Sequence, residues 1–302
     1  MTDKKEITPL PAATIALVRD ARDGLEILML QRSFKSGFMP GVHVFPGGGL
    51  DPGDESTEAH ERSAGLADPE ASRRLGIERG GLAYFIAAIR ESFEEAGILL
   101  AYSEAGAFVD MRGEAAERYR AHRRAVDQGE CGLGEIARAE NLRLATDQLV
   151  YFSHWITPVG APRRYDTRFF FAVMPEHQEV EHDNREAIAH AWMRPAEALD
   201  RYREKQMKLR TPTLKTLELF AQFAGIDALT AALRAQGEIP ALLPRVSKSG
   251  RSLLPGDPGY EEAGEEEGRG PWELSRSTPA LLWRNAMIMC DTTECKVARA
   301  AV

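Results

Sequence analysis

Apolar positions follow a two-residue or continuous strand pattern in the first thirty residues and a helical period further on. The β-branched run from Ala12 to Arg19 predicts a strand, Asp20 to Gly24 a turn, and Leu25 to Arg32 (LEILMLQR) a second strand. A glycine- and proline-rich loop follows, with a short strand expected around Val42 to Phe45. Residues 55–80 are polar, charged and weakly periodic, as a surface insertion would be. From Leu82 to Ala96 the period becomes helical: Leu82, Phe85, Ile86, Ile89 and Phe93 fall on one side at 100° per residue. Gly97 can end that helix in a left-handed residue, and Ile98 to Ala101 then reads as a strand.

Further helices are predicted at about 114–128 and 133–140, and strands at LVYFSHWIT, TRFFFAVM and IAHAWM. Pro195 and Pro212 each open a helix, since proline suits a first turn. After Gly237 the chain is rich in Gly, Pro and Glu and reads as extended or partly mobile. The final segment, PALLWRNAMIMCDTTECK, either adds a strand or stays loose. The expected fold class is α+β: a mixed α/β domain over residues 8–200 with its insertion at about 55–80, helices over 201–237, and an extension over 238–302.

With 302 residues, 43% hydrophobic and 28% charged, this is an ordinary globular composition. A formal net charge of −8 argues against a nucleic-acid or acidic-membrane binder, which needs a basic surface. An anionic small substrate stays compatible, because divalent cations and a few arginines reverse the sign locally. The three cysteines, Cys131, Cys290 and Cys295, have no metal-ligand spacing and suggest a reducing compartment. No signal-peptide core and no run of about 18 apolar residues is present, so a cytoplasmic chain with no membrane span is expected.

The chemistry concentrates on the helix of residues 82–96. Glu91, Glu94 and Glu95 lie at i, i+3 and i+4 and share a face opposite the apolar one. Like charges at these spacings repel by a few tenths of a kcal/mol per pair. A divalent cation would offset that, because Mg²⁺ prefers hard carboxylate oxygens; a solvated acidic face with Arg90 as counter-charge is the plainer alternative. Gly47, Gly48 and Gly49 directly follow a strand, where glycine lets backbone approach a ligand and offer N–H groups to phosphate. Phe169, Phe170 and Phe171 read as core, as do Trp155 and Trp192. His43 and His154 read as packed or hydrogen-bonded, and Arg163, Arg164 and Arg168 as surface charges.

Together these parts resemble the Nudix signature, G-x5-E-x7-R-E-U-x-E-E-x-G-U with U apolar. Arg90-Glu91-Ser92-Phe93-Glu94-Glu95-Ala96-Gly97-Ile98 matches its second half at each charged or glycine position, and Gly48 matches the leading glycine. Asp54 stands where the first glutamate belongs, 36 residues before Arg90, and Ser92 occupies an apolar position. Ahead of the signature, Arg32, Ser33, Gly41, Phe45, Pro46, Gly47 and Gly48 are similar to the pattern of the branch that holds the coenzyme A diphosphatases, with Gly37 in place of its second arginine.

The resemblance implies a Nudix-type α/β/α sandwich with a mixed sheet and a C-terminal helical extension. It implies hydrolysis of a phosphoanhydride bond, with Glu91, Glu94 and Glu95 holding Mg²⁺ or Mn²⁺ and Arg90 in support. Glu94, Glu91 and Arg90 are the catalytic candidates. Arg32, Ser33, Gly47 and Gly48 are the substrate-binding candidates, and Asp183 or Glu186 would be a downstream base. The implied partner is a small nucleoside diphosphate derivative, and the chain could pair as a homodimer. Coenzyme A or acyl-coenzyme A is the first substrate reading. ADP-ribose, another ADP-sugar or a dinucleotide is the second, and a Nudix-fold module without catalysis is the third.

Overall fold

The computed structural model describes residues 7–35, 39–183 and 185–263, with the backbone of 273–274. Gly37, Cys290, Cys295 and the final segment lie outside the described residues.

Strands β1 (Leu10–Ala21) and β2 (Gly24–Arg32) form an antiparallel hairpin. β3 (His43–Val44) pairs with β2, and β4 (Gly47–Gly49) pairs with β1. Helices α1 (Thr57–Glu61) and α2 (Asp68–Leu75) precede α3 (Gly81–Ala96), and β5 (Ala101–Tyr102) follows it. Next come α4 (Ala115–Asp127), α5 (Leu133–Ala139), β6 (Arg143–Leu144), β7 (Val150–Ile156), β8 (Tyr165–Val173) and β9 (Ala187–Met193). Helices α6 (Pro195–Arg203), α7 (Thr211–Phe220) and α8 (Ile226–Arg234) close the main body, with short strands β10 (Ala241–Leu242), β11 (Arg245–Val246), β12 (Arg251–Leu253) and β13 (Glu273–Leu274) beyond. The main sheet runs β10-β7-β8-β1-β2-β3, with β9 on β2 and β4 on β1. It is mixed: β1 is parallel to β8 and antiparallel to β2.

Both faces of this sheet are buried, which explains why β1 and β2 read as nearly continuous apolar runs. Ile15, Leu17, Leu28 and Leu30 pack with α3, while Ala16, Val18, Ile27 and Met29 pack with α6, α7 and α8. The helices expected beyond residue 200 are therefore the layer covering the second face of the sandwich.

Four local expectations are corrected. The segment 55–80 is not merely surface: Ala59, Ala64, Leu66, Ala71 and Leu75 are buried, most of them in the α3 cluster. Its role is local and physical. The residue before α3 is Gly80, which has no side chain to cap the helix, and Asp68 supplies that cap by accepting the N–H groups of Gly80 (3.0 Å) and Leu82 (2.9 Å). Ile98 to Leu100 is buried coil, and only Ala101–Tyr102 pairs as a strand. Arg164 and Arg168 are buried, not surface charges. Arg164 donates to the carbonyls of Thr157 and Ile7, and Arg168 contacts His154 and Asp166 and lies over the Tyr84 ring. Trp192 is only half-buried, with the Arg19 guanidinium 4.5 Å from its ring centroid. Phe169, Phe170, Phe171 and Trp155 are core as expected.

Candidate active site

Every residue of α3 except Tyr84 and Glu94 is buried, so the acidic side of the helix is not a solvated face. Glu91 and Glu95 are each only 7% exposed. What covers them is β4 and the turn after it. The three glycines form a strand within the expected loop: Gly47, Gly48 and Gly49 pair with Thr14, Ala13 and Ala12. Side chains would not fit there. A Cβ on Gly48 would lie 2.5 Å from Glu91 Oε1, and one on Gly47 would lie 2.5 Å from Thr14 Oγ1 and 2.6 Å from the Ala13 carbonyl. Glycine thus lets the helix carboxylates press against the strand. The Gly47 N–H donates to Glu95 Oε2 at 3.1 Å, so this group serves the helix and not a ligand.

Arg90 ties the parts together. Its Nε and Nη2 each donate to Asp54 at 3.0 Å, and Nη2 also reaches the Gly49 carbonyl at 2.7 Å. Its Nη1 donates to Glu91 at 2.8 Å and to Glu94 at 3.1 Å. Asp54 is 1% exposed and fills the place of the signature's first glutamate despite the intervening helices. It is seated by its own turn, because its carboxylate accepts the Asp51 N–H at 2.8 Å and the Asp51 carboxylate accepts the Gly53 N–H at 2.9 Å. At the other end of the helix, Gly97 takes a left-handed conformation (φ 72°) and Arg123 donates twice to the Glu94 carbonyl, at 2.9 and 2.7 Å. The C-terminal end of α3 is therefore fixed within a turn of the glutamates, while Asp68 holds its distant N-terminal end.

Three carboxylates, Asp54, Glu91 and Glu94, share one guanidinium, and Glu95 is held by the Gly47 N–H. Burial raises the carboxyl groups of Asp54, Glu94 and Glu95 above their ordinary range, with the Glu91 charge adding to the rise at Glu95. Glu91 is pushed up to about 7 by burial against the pull of Arg90. Burial alone would depress the Arg90 guanidinium, but Asp54 and Glu91 more than reverse this. Excess buried negative charge on hard oxygen donors fits a divalent cation of the Mg²⁺ or Mn²⁺ type. With Arg90 bonded to both Glu91 and Glu94, no group of three His, Cys, Asp or Glu side chains is arranged to hold a metal among the described residues.

Glu91, Glu94 and Glu95 line a cavity of about 690 Å³, together with Gly47, Gly48, Gly49, Arg32, Asp183 and Glu186. Ser33 is not brought to it; its hydroxyl accepts the Lys35 N–H. The two downstream acids differ. Both oxygens of Asp183 accept backbone N–H groups, of Glu186 and Ala187, each at 2.8 Å, whereas the Glu186 side chain is 61% exposed with Arg32 3.7 Å away. Sequence reasoning did not select Asp127, Trp155 or Arg210 as cavity residues, yet all three line it. They come from α4, β7 and the start of α7, and no local motif links them. No helix among the described residues is long and apolar enough to cross a membrane.

A family model described as the NUDT19 Nudix domain matches residues 10–219, from the first residue of β1 into α7. The chain is 32% identical to acyl-coenzyme A diphosphatase NUDT19 of Gallus gallus, across 85% of this chain and 78% of that protein. It is 29% identical to the protein of the same name from Xenopus laevis, across 68% of this chain, and spans only 62% of that relative's length. Among solved structures, a NUDIX hydrolase from Alicyclobacillus acidocaldarius superposes with a TM-score of 0.60 at 25% identity, covering 77% of this chain and 99% of that one. The chain accordingly belongs to the NUDT19 Nudix domain family, in the branch of Nudix hydrolases whose curated relatives are named acyl-coenzyme A diphosphatases.

Proposed function

We propose that this chain hydrolyses the diphosphate bond of coenzyme A or an acyl-coenzyme A, with Glu91, Glu94 and Glu95 holding Mg²⁺ or Mn²⁺. The observation that carries the reading is the buried acidic cluster on α3, packed under a glycine strand and opening on a cavity large enough for a nucleotide derivative. The names of the curated relatives support the substrate class.

A bound divalent ion would neutralise phosphate oxygens and acidify a water near neutral pH. The chain's own residues do the rest. Arg90 fixes Glu91 and Glu94 in register with the Asp54 turn. Arg32, at the end of β2, lines the cavity and would hold a substrate phosphate by a forked hydrogen bond. Glu186 is the better base of the two downstream acids, since the Asp183 oxygens are already occupied by N–H groups.

The test is a product-resolved assay with purified protein and Mg²⁺ on coenzyme A, an acyl-coenzyme A, ADP-ribose and a dinucleoside polyphosphate. Release of adenosine 3′,5′-bisphosphate and a phosphopantetheine is the expected result. Turnover confined to ADP-ribose or the dinucleotide would overturn the substrate assignment, and no turnover on any diphosphate would overturn the hydrolase reading.

A further inference from the structure

The cavity also carries positive charge in its lining. Three arginines line it: Arg32, Arg163 and Arg210. Arg32 faces Glu186, and Arg163 is exposed to solvent. Arg210 is different. It is half-buried, its Nε is shielded from solvent without an acceptor, and among the described residues its side chain makes no hydrogen bond or ion pair. A cation withdrawn from water without a counter-charge is costly, and such a group in a cavity wall is matched by what enters the cavity. Burial is the sole influence on its pKa, which it lowers, and no carboxylate opposes it.

Two neighbours share this condition. Arg210 immediately precedes α7, and its side chain does not cap the helix. Thr211, Pro212 and Thr213 all line the cavity, so the opening turn of a ten-residue helix, with N–H groups lacking intrahelical acceptors, faces the same space. Trp155 is 3% exposed, lines the cavity too, and carries a buried indole N–H with no acceptor. Trp155 of β7 and Arg210 before α7 thus both line the cavity, and each carries a buried donor without an acceptor. The acids Glu91, Glu94, Glu95, Asp127, Asp183 and Glu186 line the same cavity and would repel any substrate anion that a metal does not neutralise.

We propose that Arg210, with the first turn of α7, forms a second anion subsite that takes a phosphate monoester of the substrate remote from the diphosphate being hydrolysed. The proposal deepens the coenzyme A reading and rests on it, because that substrate class carries such a phosphate on its ribose. Arginine suits this task through its forked donors, which match a phosphate.

The experiment compares wild type, Arg210→Gln and Arg210→Lys in the presence of Mg²⁺. Turnover is measured on coenzyme A and on its counterpart lacking the 3′-phosphate. Wild type is expected to favour the phosphorylated substrate. In Arg210→Gln the ratio of the two kcat/KM values should fall roughly tenfold, through KM, as loss of a charge-assisted hydrogen bond predicts. Arg210→Lys should restore part of the ratio. A second arm measures calorimetric binding of adenosine 3′,5′-bisphosphate against adenosine 5′-monophosphate, with the same loss expected for the bisphosphate alone. Equal losses on both members of each pair, or an unchanged ratio in Arg210→Gln, would overturn the subsite. If neither coenzyme A compound is hydrolysed by wild type, the proposed function fails, and the binding ratio alone decides the subsite.

Discussion

Two groups of residues lining the cavity are built on opposite principles. The acidic wall is over-determined: Glu91, Glu94 and Asp54 are bound to one guanidinium, Glu95 to the Gly47 N–H, and both ends of α3 are pinned. The lining contributed by β7 and the start of α7 leaves donors unmatched, notably Arg210 and the Trp155 indole N–H. The contrast teaches that saturation of internal bonds fixes reacting groups in place, whereas unsatisfied bonds mark where an incoming molecule completes the structure.

The largest expected effect comes from emptying the acidic wall without unfolding it. Glu94 is the one acidic residue of α3 that is not buried. Glu94→Gln should lower kcat roughly 100-fold or more while the circular dichroism spectrum and melting temperature stay close to wild type. Near-normal turnover would show that this wall does not carry the chemistry.

Asp54→Ala attacks the saturation itself. It leaves the Arg90 guanidinium half-paired in a buried site, and denaturant unfolding should register a loss of about 3 kcal/mol, the lower end for a broken buried pair because Glu91 and Glu94 remain. A neutral result would mean the turn is held by its backbone alone.

Gly47→Ala tests the close approach of strand and helix. Its new Cβ would meet backbone at 2.6 Å, so a cost of about 1–3 kcal/mol is expected from chemical denaturation, with reduced activity. A variant as stable as wild type would mean β4 can move off β1 freely.

The smallest effect is remote from either wall. Asp68→Ala should cost about 1 kcal/mol through the lost cap on α3. Burial resists ionisation of Asp68, but the Leu82 and Gly80 N–H groups outweigh it and hold its carboxyl below the ordinary 3.8. The contribution is therefore complete above pH 3.8 and fades as pH falls through the lower folded value, so wild-type and variant stabilities should converge in acid. A gap that persists at low pH would remove the charge from the explanation.

The same contrast explains what the sequence discloses. The acidic wall is local: Arg90, Glu91, Glu94 and Glu95 fall within six consecutive residues whose helical period and glycine terminus are visible in one dimension. The strands β1 and β2 were legible for the same reason, as runs with two buried faces. Three other features depend on pairing at a distance. The glycine run reads as loop until β1 supplies its partner strand. The helices of residues 57–75 are short and highly charged, and their purpose, a cap on Gly80, is tertiary. Arg210 differs from a surface arginine in its burial and in the acids absent around it, and no sequence pattern records either.

The central claim concerns a divalent ion on α3, and titration with Mn²⁺ followed by electron paramagnetic resonance addresses it directly. Wild type should deplete the free-ion signal at a saturable site, and competing Mg²⁺ should return it. In the Glu91→Gln, Glu94→Gln double variant, folded by circular dichroism, that saturable loss should vanish. An unchanged titration in the double variant would place the ion elsewhere and contradict the account.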